Sequence, residues 1–266
     1  LEGIIFCANI IFGKYRGKKI FQKIRMGFKC DLVIAYYKED LGWLEEFKDL
    51  PFRKIFLYTK GNSKPKAPVS YIEEKLDNIG RCDHTYLYHV IKHYDDLSDV
   101  TIFCTGSTSL GHKLDKFRQI VKNVFKTHDS VFSGVFCKSV RNSMYTYYMH
   151  SHRATYKNNQ ETSTKDVLKP STIRPFGPWY EAHFPGIRTT LLPYYGLFAV
   201  SRKHVHQHPV AYYEKLIAEF PRHSNPEVGH YFERAWTAVF HPIPAHCLYD
   251  EKTGRRGRTR KVGKAD

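Results

Sequence analysis

The six cysteines, Cys7, Cys30, Cys82, Cys104, Cys137 and Cys247, form no CxxC pair and no zinc-finger spacing. This favours a reduced compartment and weighs against metal binding through sulfur. Ile4 to Phe12 is apolar, yet nine residues cannot span a bilayer, and the following Gly13 to Lys29 segment has no cleavage-site pattern. A buried strand is the favoured reading of that stretch, with a shallow membrane contact as the other. Acidic residues are missing from 11–30, which hold seven basic side chains, and a second block of seven occupies 252–264. Between these blocks, 28 basic against 24 acidic residues reduce the net +16 to +4. A near-neutral body with basic ends argues against a specific nucleic-acid-binding domain and suits a membrane-surface, polyanion or diphosphate contact. Residues 252–266 also read as a solvated, disordered tail. No internal repeat is evident.

What is present is a chain of 266 residues, long enough for a full core, with 15% aromatics and 19 tyrosines. The tyrosines serve either as strand and surface residues or as stacking platforms for planar or sugar rings. β-Branched and aromatic runs bounded by turn residues predict strands at 4–12, 31–37, 54–58, 100–104, 131–137 and 197–200. Helical spacing predicts helices at 41–47, 84–93 (with Asp83 as N-cap), 113–125, 210–220 and 227–239. This alternation predicts an α/β domain over 31–251, with a mixed, mostly parallel sheet and helices on both faces. A basic segment, 1–30, precedes it. Residues 138–175 break the pattern with the polar run Asn158 to Thr164, and read as a mobile flap over the site or a plain surface excursion.

Three features carry chemistry. Asp31 to Leu44 runs from an apolar strand into a polar, helix-initiating turn, the place where open α/β sheets bind ligands. Leu76 to Tyr86 combines a Gly turn, Arg81 and a helix start, which makes either an electropositive nest for an anion or ribose, or an ordinary capped helix. Near the end, Asn225 to Trp236 places a lone carboxylate, Glu227, at a helix start, the posture of a catalytic base.

Taken in order, Asp31 to Leu44, Tyr58 to Asn62, Asn78 to His89, Asp99 to Ser107 and Pro226 to Trp236 resemble the glycosyltransferase-like proteins of large algal (chlorella) viruses, fungi and bacteria. The resemblance spans roughly 31–241 and implies a GT-A-like single Rossmann-type domain. It implies a UDP-sugar donor at the end of the first strand and the 78–84 turn, bound by Tyr37, Asp40, Arg81, Asp83, His84, Thr105 and Ser107. It also implies an acidic metal motif after strand 100–104, where this chain has Thr105-Gly106-Ser107. Hydroxyls do not hold Mg²⁺ or Mn²⁺ as carboxylates do, so a divalent metal is not assigned and basic side chains are expected to neutralise the diphosphate. In an inverting transferase one carboxylate takes the acceptor proton, and Glu227 is the candidate. Glu233, next to Arg234, reads as a structural ion-pair partner.

Pro175 to Glu181 and Pro193 to Gly196 set aromatic faces among rigid turns, which makes Trp179, Tyr180, Tyr194 and Tyr195 candidates for binding the acceptor, or anchors of loops packed on the core. His204, His206 and His208 share one face if extended, but no acid lies near them in sequence, so a packed or solvated run is favoured. His241 is a weak candidate metal ligand. These readings amount to a cytoplasmic glycosyltransferase (host cytoplasm if viral), with peripheral membrane contact through its basic ends. It transfers a hexose or a pentose such as xylose from a UDP-sugar to a glycan or glycoprotein hydroxyl. The alternative is an inactive nucleotide-sugar or glycan-binding module of the same fold.

Overall fold

A computed structural model of the chain describes residues 27–149, 168–254 and 256. The expected strand at 4–12, the polar run at 158–164 and nearly all of the basic tail lie outside these residues. Eight strands form the sheet: β1 (Cys30–Tyr36), β2 (Phe52–Thr59), β3 (Ile72–Lys75), β4 (Val100–Thr105), β5 (Val131–Phe136), β6 (Leu191–Leu192), β7 (Phe198–Ser201) and β8 (Leu248–Asp250). Among the described residues seven α-helices accompany them: α1 (Arg81–Lys92), α2 (Lys113–Thr127), α3 (Val140–Ser143), α4 (Phe176–His183), α5 (Arg202–Val205), α6 (Val210–Ile217) and α7 (Glu227–Val239).

The strand order is β3-β2-β1-β4-β7-β5-β6, with β8 also paired to β5. The β1–β2, β1–β4, β2–β3 and β5–β8 pairs are parallel, whereas β7 runs antiparallel to both β4 and β5, and β6 antiparallel to β5. The expected mixed, mostly parallel sheet is therefore present. β1 is buried along its whole length, which is why it reads as an unbroken apolar run and not as an alternating strand.

Alternation along β1 divides the core in two. Val33 and Ala35 join Phe56, Tyr58, Phe103 and Phe198 on one face, against Tyr86 and Leu87 of α1 and Phe232 and Trp236 of α7. Leu32 and Ile34 join Leu57, Ile102 and Cys104 on the other, against Phe117, Ile120, Val121 and Val124 of α2. Helices thus cover both faces. Among the described residues no helix is long and apolar enough to cross a membrane.

Several boundaries differ from the sequence reading. Residues 42–47 form a 3₁₀ turn, not an α-helix, opened by Asp40, whose carboxylate accepts the Gly42 N–H at 2.9 Å. Helix α1 begins three residues before His84, so Asp83 lies inside its first turn and Gly80 takes the N-cap position. Trp179 and Tyr180 belong to α4, not to an irregular turn, and are fully buried. His204 is a buried residue of α5, so the three histidines do not share a strand face. The described parts of 138–175 are tied down, with the Phe176 and Gly177 N–H groups donating to the carbonyls of Tyr147 and Tyr145.

Candidate functional site

β1 and β4 are parallel neighbours from which the chain leaves in opposite directions, β2 lying beyond β1 and β7 beyond β4. In open α/β sheets the crevice outside the carboxyl ends of two such strands is the ligand position. Here it is built from Tyr37 and Glu39 after β1, Lys60 after β2, the start of α1, Thr105 to Ser107 after β4, Lys113 at the start of α2, and one side of α7.

Backbone geometry holds the first turn of α1 in an unusual form. Gly80 has φ 63°, and a Cβ there would meet Phe220 at 2.4 Å and His84 at 2.6 Å, so only glycine fits. Arg81 follows with φ 55°, a left-handed conformation uncommon for a non-glycine residue. The buried Lys60 ammonium donates to the carbonyls of Ile79 and Arg81 and so clamps this turn, and burial brings its pKa down to about 8. Arg81 reaches the Asn225 side-chain oxygen at 3.3 Å.

Across the crevice, Thr105 and Ser107 share a hydrogen bond of 3.1 Å, and Lys113 Nζ donates to Ser107 Oγ at 3.0 Å. Burial lowers the Lys113 pKa, while the Glu233 and Glu39 carboxylates oppose that shift. Glu39 accepts the backbone N–H groups of Tyr37 and Lys38, and its Oε2 lies where a Cβ on Gly106 would come within 2.6 Å. Gly106 therefore lets the end of β4 approach Glu39.

Glu233 extends from α7 into this set. Its Oε1 accepts the Tyr195 N–H at 2.8 Å, its Oε2 faces Arg234 Nη1 at 3.2 Å, and its side chain is 20% exposed. Asp83, Cys82, Lys113 and Lys116 all feel its charge. Arg234 lies over the Tyr147 ring at 4.2 Å and the Tyr194 ring at 5.4 Å, and donates to the His230 carbonyl at 2.6 Å. Lys116 Nζ lies over the Tyr195 ring at 5.1 Å and donates to the Tyr194 carbonyl. Two of the four acceptor candidates, Tyr194 and Tyr195, thus reach the crevice part-exposed. The other two, Trp179 and Tyr180, are core residues and cannot bind an acceptor.

Three further assignments change. Glu227 is 0% exposed and saturated: Oε1 accepts the Met149 N–H at 2.8 Å, while Oε2 accepts the Ser171 N–H at 2.9 Å and pairs with Arg174 Nε at 2.8 Å. With no exposed surface it cannot meet an acceptor hydroxyl from solvent, so Glu227 anchors the segments on either side of 150–167. Asp83 is buried, its Oδ1 accepting the Trp236 indole N–H at 2.9 Å and its Oδ2 the Cys82 thiol at 3.6 Å, so it braces α1 against α7 and does not face a ribose. His84 packs edge-on against Phe220, and burial lowers its pKa to about 4, so it offers a phosphate no charge at neutral pH. Asp40 is exposed and engaged in its local turn. His241 accepts, through its carbonyl, a contact from His208 Nε2 at 2.9 Å and joins no group of potential metal ligands among the described residues.

Burial, then the charge of Glu233, raises the Asp83 carboxyl from its ordinary 3.8 to about 7. Between those values the folded chain keeps a proton that the unfolded chain releases, so stability falls as pH rises from about 4 to about 7 and the loss then levels off. Asp83→Asn is expected to flatten that decline. Urea midpoints at pH 5 and pH 7.5 measure it, and an unchanged slope would remove Asp83 as its source.

Residues 32–133 match the family described as a protein of unknown function (DUF3431). No curated protein matches the chain. The DUF3431 span runs from β1 into β5 and contains Tyr37, Glu39, Lys60, Arg81, Ser107 and Lys113, but not Tyr195, Glu233 or Arg234. The crevice therefore combines residues inside that span with residues beyond it. Sequence reading made no assignment to Lys60, Lys113, Glu39 or Tyr147. Lys60 lies two residues after the end of the predicted strand at 54–58 and directly after the observed β2, a position that was available as a signal. Lys113 and Tyr147 carry none, because only the folded chain brings them to the crevice.

A cavity of about 370 Å³ opens on the opposite, amino edge of the sheet, lined by Phe28, Asp99, Arg202 and Lys203 among others. Its charges are already paired, Arg202 with Asp99 at 3.1 Å and Lys203 with Asp129 at 2.6 Å.

Proposed function

We propose that the chain is a GT-A-like glycosyltransferase that moves a hexose or pentose from a UDP-sugar to a hydroxyl of a glycan or glycoprotein, with inversion and with Glu233 as general base. One observation carries this reading: a part-exposed carboxylate, fixed by a backbone N–H and an arginine, shares the β1/β4 crevice with Arg81 and Lys113 on one side and Tyr147, Tyr194 and Tyr195 on the other. The β3-β2-β1-β4 order matches the nucleotide-binding half of doubly wound sheets and supports the fold assignment.

In this reading Tyr37 lies beside the nucleotide base, Arg81 and Lys113 meet the diphosphate, and the tyrosines receive the acceptor. A carboxylate oxygen has two acceptor positions, so Glu233 Oε2 can hold Arg234 and still take the hydroxyl proton. The acceptor oxygen bonds to the anomeric carbon as the bond to the diphosphate breaks, and the cations neutralise the charge that develops there. The Thr105-Gly106-Ser107 turn holds no carboxylate for a hard dication: its hydroxyls are bonded to one another and to a lysine ammonium, and the neighbouring Glu39 Oε2 already accepts the Tyr37 and Lys38 N–H groups. No step is therefore assigned to a metal. The same missing carboxylate favours the second reading, a nucleotide-sugar or glycan-binding module without turnover. The basic ends would give either form a peripheral contact with a membrane surface on the cytoplasmic side.

Thermal shift against a panel of UDP-sugars tests binding, because a ligand that prefers the folded state raises its stability. UDP release with and without acceptor then separates transferase from module. Arg81→Ala and Lys113→Ala are each expected to weaken UDP binding by on the order of 1 to 3 kcal/mol. Chelator is expected to leave the transfer rate per folded molecule intact. If no UDP-sugar shifts melting at millimolar concentration, the proposal fails.

A further inference from the structure

At the amino edge of the sheet, on the side away from the crevice, the turn before β5 meets the turn before β8. The parallel register of these strands, Phe132 beside Leu248, brings Asp129 to His246 and Cys247. A carboxylate oxygen, an imidazole nitrogen and the Cys247 sulfur all lie within 4.8 Å of one another. Asp129 Oδ2 is 3.2 Å from His246 Nε2, close to the spacing of two ligands on one tetrahedral ion.

The carboxylate is also oriented. The Ser130 N–H donates to Asp129 Oδ1 at 2.7 Å, which turns Oδ2 toward His246 and the Lys203 ammonium. Ser130 and Ser201 hydroxyls lie 2.7 and 2.8 Å from His204 Nδ1, and that buried imidazole stands 3.7 Å from Oδ1, backing the carboxylate from the far side. Supports of this kind surround metal ligands and fix their direction. Asp129 and Cys247 are buried, whereas the His246 side chain is 53% exposed, so the group has a buried floor and a solvent-facing mouth.

We infer that Asp129, His246 and Cys247 form a binding site for a zinc-class divalent ion that ties β8 to β5. One oxygen, one nitrogen and one sulfur suit a borderline-soft ion and suit Mg²⁺ or Ca²⁺ poorly. With three protein ligands, the fourth position falls to solvent. In the absence of metal the Lys203 ammonium neutralises Asp129 at 2.6 Å; its side chain is 61% exposed, so it can leave for water when a dication arrives. Binding takes the proton from the Cys247 thiol and releases it to solvent, so affinity rises with pH. This site is independent of the glycosyltransferase reading.

The experiment titrates the full chain, stripped with chelator, with Zn²⁺ by calorimetry and with Co²⁺ by absorbance. One ion per chain, a sulfur-to-cobalt charge-transfer band and a higher melting temperature with Zn²⁺ are expected. Cys247→Ser should abolish the band. His246→Ala, which changes an exposed side chain and spares the core, should weaken binding about tenfold or more. Lys203→Ala removes the competing ammonium and should tighten binding. A chain that takes up no Zn²⁺ at micromolar concentration overturns the proposal, as does a His246→Ala variant that folds and binds like the parent.

Discussion

Glu233→Gln is expected to lower sugar transfer by ~10²-fold or more with little change in UDP affinity, because general-base catalysis contributes ~10² to 10⁴ and the amide keeps the side chain's shape. The amide oxygen can still accept the Tyr195 N–H, so the loop at 194–196 retains its support. Arg234 loses its charged neighbour but keeps the Tyr147 face and the His230 carbonyl. The variant should therefore fold and bind donor, and fail at the chemical step. Transfer rate measured alongside melting temperature decides the point; a Glu233→Gln enzyme with parental turnover would exclude this residue as the base.

Glu227→Ala should do the reverse. It leaves the Met149 and Ser171 N–H groups and the Arg174 guanidinium without their shared acceptor, a loss of about 3 kcal/mol when one member of a buried, hydrogen-bonded pair is removed. For a chain of this size that corresponds to a melting temperature lower by roughly 6 to 12 °C. Glu227→Gln should cost less, since an amide oxygen in the Oε2 position can keep two of the three contacts, those to Ser171 and Arg174. Transfer per folded molecule should change little in either variant. A stable Glu227→Gln protein that binds donor and transfers nothing would return the base to Glu227.

These two glutamates show which parts of the site sequence could reveal. Both lie on α7, six residues apart, and in sequence Glu227 has the stronger claim because it opens a helix while Glu233 adjoins an arginine. Burial reverses that order. The helix start faces inward, onto backbone N–H groups from 149 and 171, and nothing local in sequence records which distant amides will arrive there. The same limit applies to Trp179 and Tyr180: glycine and proline at 177 and 178 suggest a turn, yet these residues begin a helix, and tertiary packing draws both rings fully into the core. Periodicity was more informative for the scaffold. The continuous apolar run of β1 and the helical spacing of α2 and α7 identified those elements to within two residues, because β1 is buried on both faces and each helix packs a continuous apolar side against the core. Short elements without such a face, β3, β6 and β8, left no readable pattern. The Asp129, His246 and Cys247 group was equally invisible, since Asp129 lies 117 residues before the adjacent His246 and Cys247 pair begins and meets it only through the β5–β8 register.

The position of β7 bears on how this chain is made. β4 and β5 are consecutive in sequence but not in the sheet; the gap between them is filled by residues 198–201, which are synthesised some sixty residues later. A nascent chain that has emerged only through residue 133 holds β1, β2, β3 and β4 with the β4 edge not yet covered by β7, and the start of a β5 whose described partners β6, β7 and β8 are all still to come. The stretch matching DUF3431 is thus the first part of a sheet that closes only on a later strand, and expressed alone it would present that β4 edge to other chains as a template for association. A fragment ending after β7 would cover the edge, and truncations ending at 133 and at 205 should differ in solubility for that reason.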